Sequence, residues 1–326
     1  METLIADYLS KLEFGELQSF KNMGVIPLLT SINGSPKYLT LKEALEKKLL
    51  NVKEVDEGGS VPELKVINKA KVSVLLLDGE ELVGAKQNRV VNTTILLKKE
   101  SETVIPVSCT EQGRWSYISE EFADSGIVLS PRMRMVKAAS VNVSLNASQR
   151  YESDQMAVWD EIEDLSERAQ ARSATGAMRH VYESRAKDLE KYLESFKYLP
   201  HQRGLYVIIN GETVGFDVLS LEKVYQALHP KLVKSYAMDA ILQDKQKSKI
   251  SSSGKTKAFI EKARRCQEKK YKSVGQGTDH RFEGKAILGS ALLYRKKVIH
   301  MAFFKDAESS KTGRMSSYSR RREFRI

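Results

Sequence analysis

The spacing of apolar residues changes several times along the chain, and each change marks a different element. Leu4, Tyr8, Leu9, Leu12 and Phe20 recur at roughly helical intervals and predict a helix over 3–21, weakened in its middle by Gly15. Val25 to Leu29 is a short apolar strand. Thr40 and Glu43 have capping-box spacing, in which each side chain satisfies the other residue's free amide, and a helix is expected from there to about Leu50. A strand near Val52 to Val55 stops at Gly58-Gly59. From Val61 to about Leu145 the chain reads as β: Leu64–Ile67, Val72–Leu77, Val90–Leu97 and Val104–Ser108 are rich in β-branched residues and separated by turn signals, and Val136 to Leu145 alternates again.

Beyond Asp154 the period lengthens. Met156, Trp159, Ile162, Leu165 and Ala169 form one helical stripe, and Val181, Leu189, Leu193 and Phe196 form another, with Gly176 dividing them. Asn210-Gly211 between Leu205–Ile209 and Val214–Val218 signals a hairpin. A helix over about 221–243, interrupted at Pro230, is followed by a polar, serine-rich loop at 245–257, a short helix within 256–268 and a final hairpin over 285–304. Consecutive short strands with tight turns favour antiparallel pairing over βαβ units. The expected class is therefore α+β: an antiparallel, β-rich, sandwich- or barrel-like first half, a helical middle and a smaller mixed C-terminal part. The corresponding division is 1–150, 151–305 and a basic flexible tail at 306–326.

Composition narrows the class. The 41% hydrophobic and 29% charged fractions suit a packed core rather than wholesale disorder. No apolar run approaches the roughly 20 residues of a membrane helix, and no secretory signal is visible, so a soluble cytoplasmic protein is expected. Cys109 and Cys266 do not form a Cys-x-x-Cys pair, which excludes a zinc ribbon or a thioredoxin-type site. His180, His201, His229, His280 and His300 lack metal-type spacing, and no metal site or cofactor is assigned. The formal charge of +11 is uneven: residues 245–326 hold 23 Lys+Arg against 7 Asp+Glu. That segment could draw nucleic acid or an acidic protein.

Two polar clusters carry the candidate chemistry. The first, Glu80 to Thr94, places Lys86, Gln87, Asn88 and Arg89 just after Gly84, with Asn92 beyond. A fixed cation beside neutral donors and acceptors is what a phosphate, carboxylate or ribose site needs. The second, Val104 to Trp115, carries Cys109, Glu111 and Arg114. One hairpin separates the two, so they could share one end of a sheet. Cys109 beside cations is a candidate nucleophile, and Glu80 or Glu111 a candidate general base. His280, between Asp279 and Arg281, is the best histidine for proton transfer. Ser253-Gly-Lys-Thr256 ends like a phosphate-binding loop, but Lys249 stands where the first glycine is required.

The run Leu75 to Arg89, then Asn92-Thr93, Ile105 to Cys109 and Glu111 to Trp115, resembles the signature of a prokaryotic domain family associated with ADP-ribosylglycohydrolase and rhodanese-phosphatase proteins. Ser153-Asp-Gln155 with Trp159, Ser173-x-Thr-Gly-Ala-Met178 and Gly215-Phe-Asp217 are also similar, and the resemblance spans about residues 40–305. It implies no established activity. It points to Lys86, Gln87, Asn88, Arg89, Asn92, Glu111 and Arg114 as site residues.

The leading expectation is a pocket for a phosphorylated, nucleotide-derived, ADP-ribose-like ligand. Lys86, Arg89 and Arg114 would neutralise phosphate, Gln87, Asn88 and Asn92 would hold ribose or base edges, and Glu80, Glu111 or Cys109 would supply any acid, base or nucleophile. One alternative is a non-catalytic interaction protein that binds nucleic acid or an acidic partner through residues 245–326. Another is a cysteine-dependent enzyme using Cys109.

Overall fold

The computed structural model describes residues 1–56, 58–243 and 254–305. Most of the expected 245–257 loop and the 306–326 tail lie outside the described residues. Helix α1 (Thr3–Ser10) leads into β1 (Leu12–Phe14), β2 (Gln18–Phe20), β3 (Met23–Thr30), β4 (Tyr38–Thr40) and α2 (Leu41–Glu46). The β-rich run continues through β5 (Leu50–Glu54), β6 (Glu63–Asn68), β7 (Ser73–Leu76), β8 (Glu80–Gly84), β9 (Arg89–Val91), β10 (Ile95–Leu97), β11 (Ser101–Cys109) and β12 (Phe122–Val128). Helices α3 (Pro131–Ser148), α4 (Gln155–Ala169), α5 (Met178–Ser184) and α6 (Ala186–Ser195) form the middle. The hairpin β13 (Gln202–Ile209) and β14 (Glu212–Leu219) precedes α7 (Glu222–Leu242) and α8 (Lys255–Arg264). Strands β15 (Gln267–Lys272), β16 (Thr278–Gly284), β17 (Ile287–Tyr294) and β18 (Lys297–Lys305) end the described chain.

The class is α+β with mostly antiparallel pairing, as the alternation implied. A nine-stranded sheet runs β1-β3-β13-β14-β18-β17-β16-β15, with β2 also on β3. A six-stranded sheet runs β12-β8-β9-β11-β6-β5, and a three-stranded one β10-β7-β4. Within the last, β4 and β7 run parallel. Strand β3 pairs with β13 from Met23 to Leu29, so distant parts of the sequence share one sheet. Helix α7 lies within the main core, burying Val224, Tyr225, Leu228, Leu232, Val233 and Tyr236.

The capping box at Thr40 is formed: its hydroxyl accepts from Glu43 N, and Glu43 Oε2 accepts from Thr40 N at 2.8 Å. The Asn210-Gly211 hairpin, the short helix after Gly254 and the closing hairpin stand where the pattern put them. Four expectations need correction. Val90–Leu97 is not one strand but two, β9 and β10, which break at Asn92–Thr94 and join different sheets. The helix over 3–21 ends at Ser10, and strands β1 and β2 occupy most of the remaining stretch to Lys21. Val136 to Leu145 is not a strand but part of α3, which opens with Pro131 after Ser130. Its buried stripe is Met133, Arg134, Lys137, Ala138, Val141, Asn142 and Leu145. Arg134, Lys137 and Asn142 complete a helical period that apolar positions alone do not reveal. Helix α7 also passes through Pro230 without interruption.

Those buried polar groups tie the sheets together. Arg134 donates to both Asp217 oxygens at 2.8 and 2.9 Å, and Tyr236 Oη donates to Asp217 Oδ2 at 2.8 Å. Lys137 Nζ meets Asp78 Oδ1 and donates to Asn92 O at 2.8 Å. His300 bridges Thr94 and Asp217, at 2.9 and 3.1 Å from its two ring nitrogens. Asn92 and Thr94 follow β9 and Asp78 precedes β8, so this network anchors the hairpin that carries the first polar cluster.

Candidate functional site

The turn from β8 to β9 needs backbone that few residues adopt. Gly84 has φ +131°, and a Cβ there would come within 2.7 Å of Glu121 O. Ala85 comes next at φ 40°. The tight turn brings Gln87 and Asn88 to Gln112 and Glu111, just past the end of β11, and β9 and β11 pair with Arg89 opposite Cys109. The two polar clusters therefore lie side by side.

Much of this polarity is satisfied internally. Arg114 Nε donates to Glu111 Oε2 at 2.9 Å, Nη1 to Ala85 O at 2.7 Å and Ser116 O at 2.9 Å, and Nη2 to Asn88 Oδ1 at 3.1 Å. The other Glu111 oxygen accepts from Thr175 Oγ1 at 2.8 Å. Burial works against the Glu111 charge, but the bonds from Arg114 and Thr175 outweigh it and hold the carboxyl below its ordinary range. A carboxylate so held is a poor proton acceptor. Arg114 and Glu111 thus brace the turn against the strand end. Gln87 Nε2 donates to Gln112 O at 3.4 Å, and Asn92 joins Tyr151 O and Ser108 Oγ at 3.0 and 2.7 Å. The later motif residues serve the same corner: Gly113 N donates to Thr175 O, and Met178 N to Thr110 O, at 2.8 and 2.9 Å.

Arg89 is the exception. It is fully buried, and its Nη1 donates to Gln87 O and Gln87 Oε1, both at 3.0 Å. Its Nε and Nη2, the edge that forms the guanidinium's side fork, have no hydrogen-bond partner among the described residues. Facing them is Glu54, whose two buried carboxylate oxygens likewise lack a hydrogen bond and whose Oε1 forms only a long ion pair with Nη2, at 3.9 Å. The Trp115 ring stacks near the guanidinium, its centroid 5.4 Å from Cζ, yet the residue is 47% exposed. Lys86 Nζ donates to Gly58 O at 2.6 Å and lies 5.6 and 5.1 Å from the Trp115 and Tyr117 ring centres. Gly59 packs close by: a Cβ there would sit 3.1 Å from the Lys86 stem and 3.5 Å from both Glu54 Oε2 and Trp115. Buried polar groups normally find hydrogen-bond partners, and here four that lack one lie together at a single corner.

Glu54 is not among the residues that the polar clusters single out. Its signal was the alternation Leu50, Val52, Glu54, which carries a carboxylate onto the buried face of β5.

The other candidates fall elsewhere. Glu80 accepts from Lys231 Nζ at 2.6 Å and from Leu77 N at 2.7 Å, and Lys231 also binds Asp124 at 2.7 Å. Burial opposes the Lys231 charge, but the two carboxylates overcome it and hold the ammonium. Glu80 is thus tied into a buried ion cluster. Its neighbour Glu81 is fully buried, accepts from Thr110 Oγ1 at 2.7 Å, and is pushed up to about 7 by burial. Cys109 lies on the paired strand, but burial raises its thiol to about 11 despite Arg89 nearby, which gives no support to a thiolate nucleophile.

His280 is separated from its sequence neighbours by strand alternation. Asp279 and Arg281 meet Thr93, at 2.8 and 2.6 Å, whereas His280 Nδ1 bonds Glu268 at 2.6 Å on the opposite face. Glu2, Glu268 and His280 bring ligand-type atoms within 4.8 Å of one another, but Lys270 at 2.6 Å from Glu2 already supplies a cation there. A groove of about 570 Å³ lies between α2 and β12, lined by Lys42, Leu50, Asn51, Lys69, Phe122 and Asp124 among others. None of the sequence-predicted site residues lines it.

Among the described residues, no helix is long and apolar enough to cross a membrane. No curated protein and no solved structure matches the chain. A family model described as the ARG and Rhodanese-Phosphatase-superfamily-associated Protein domain matches residues 11–304, which takes in every strand and turn of the corner just described, and the chain belongs to that family.

Proposed function

We propose that the corner formed by Glu54, Lys86, Arg89 and Trp115 binds a phosphorylated, nucleotide-derived ligand of the ADP-ribose type. The observation that carries this reading is the buried Arg89 fork, without a hydrogen bond on Nε and Nη2, opposite a Glu54 carboxylate that also lacks one and meets the fork only as a 3.9 Å ion pair. Lys86 supplies a cation at the rim, and the exposed rings of Trp115 and Tyr117 offer faces on which a base can stack. Arg114, Glu111, Asn88 and Gln87 position these groups rather than touch the ligand. The family's association with ADP-ribosylglycohydrolases agrees with this chemistry.

A thermal-shift and calorimetric screen against ADP-ribose, ADP, ribose 5-phosphate, pyrophosphate and short RNA tests it, because a ligand that binds only the folded chain raises the melting temperature. ADP-ribose or ADP should bind, with affinity lowered about tenfold or more by Lys86→Ala. No binding of any nucleotide, or binding indifferent to Lys86→Ala and Trp115→Ala, would refute it. Stabilisation by RNA alone, steeply lost with salt, would assign binding to the basic C-terminal segment instead.

A further inference from the structure

The geometry points to a division of labour inside this corner: we propose that Arg89 and Glu54 together read a vicinal diol of a sugar, while the phosphate stays outside at Lys86. The inference rests on the ligand-binding reading above and adds which part of the ligand enters. An arginine fork taken alone suits an anion, since two parallel N–H groups match two oxygens of a phosphate or carboxylate. Here the fork does not stand alone. Glu54 Oε1 pairs with Arg89 Nη2 only at 3.9 Å, and both Glu54 oxygens are buried without a hydrogen bond. A phosphate seated on the fork would bring its charge against that carboxylate in a desolvated place, where like charges repel most.

The inner surface offers two donors, Nε–H and Nη2–H, beside two acceptors, Oε1 and Oε2. Its complement must accept from the first pair and donate to the second. A hydroxyl does both at once, and two adjacent hydroxyls match the paired groups. Gly59 carries no side chain at this place, where a Cβ would meet both Glu54 Oε2 and the half-exposed Trp115 ring at 3.5 Å. Lys86 reaches the same rim from outside, its stem 3.1 Å from a Cβ placed on Gly59. A phosphate held there keeps its solvation while the sugar enters.

The test is calorimetry with ribose 5-phosphate, 2-deoxyribose 5-phosphate, inorganic phosphate and ADP-ribose on the wild-type chain and on Glu54→Gln and Glu54→Asp variants whose melting curves remain cooperative. Ribose 5-phosphate should bind about tenfold or more tightly than its 2-deoxy counterpart, because a buried carboxylate left without its donor is penalised. Glu54→Gln should erase that preference, and Glu54→Asp should retain part of it. Equal binding of the two sugar phosphates by the wild-type chain overturns the diol assignment and leaves the ligand-binding reading standing. Inorganic phosphate binding as well as ribose 5-phosphate, and more tightly after Glu54→Gln, overturns it in favour of phosphate on Arg89. Failure of all four ligands to bind overturns both readings. The wild-type comparison decides the matter even where neither variant folds.

Discussion

Gln155 grips the backbone of Cys109 from both sides: its Oε1 accepts from Cys109 N at 2.7 Å and its Nε2 donates to Cys109 O at 3.0 Å. The side-chain amide imitates a neighbouring strand just where β11 ends, and so fixes the direction in which the chain leaves toward Glu111 and Arg114. Gln155→Glu keeps the acceptor but turns a carboxylate oxygen toward the Cys109 carbonyl. It should lower stability by about 1–2 kcal/mol. Hydrogen exchange at the Cys109 amide should hardly change in Gln155→Glu and should quicken in Gln155→Ala. Unchanged protection in the alanine variant would contradict the role given to Gln155.

Arg134 and Asp217 are both fully buried and joined by two hydrogen bonds. Burial opposes the Asp217 charge, yet Arg134 and His300 hold its carboxyl far below the ordinary range. Removing Asp217 leaves the buried Arg134 charge with Asp78 alone, at 3.4 Å, so Asp217→Asn should cost about 3 kcal/mol in chemical denaturation. The double variant Arg134→Met, Asp217→Leu should recover part of that loss. A double variant no more stable than Asp217→Asn would show that the pair's hydrogen bonds, not an uncompensated charge, dominate.

Glu81 makes stability depend on pH in an unusual direction. Burial lifts its carboxyl to about 7 from an ordinary value of 4.5, so the folded chain keeps a proton that the unfolded chain has released. The stability this proton confers is complete below about pH 4.5 and is lost as pH rises toward about 7. Glu81→Gln keeps the neutral form at every pH. It should raise the melting temperature at pH 8 and leave it nearly unchanged at pH 4, with a difference of at most about 3 kcal/mol between the two conditions. Equal effects at both pH values would contradict the assignment.

The Thr40–Glu43 cap, the Asn210-Gly211 turn and the β-branched strands are local devices and could be read directly from the sequence. The α3 stripe could not, because Arg134, Lys137 and Asn142 face inward only through partners far along the chain, such as Asp217 for Arg134 and Glu283 for Asn142. The meeting of the two clusters on the strand pair of Arg89 and Cys109 follows from the single hairpin between them. Composition could not say which polar groups are already satisfied within the fold. Arg114 and Arg89 look alike in sequence, but one donates to five oxygens and the other keeps its fork unpartnered. Glu54 was hidden for a related reason, since its importance appears only when β5 is placed beside β6 in the same sheet as β9.

The chain's two tryptophans, Trp115 and Trp159, make the central claim directly measurable. In a Trp159→Phe variant, Trp115 alone reports, and its ring lies 5.4 Å from the Arg89 guanidinium. Titration with ADP-ribose should change Trp115 emission saturably, and Lys86→Ala should shift the midpoint about tenfold higher. Emission that stays flat while calorimetry records ADP-ribose binding would place the ligand elsewhere and contradict the account.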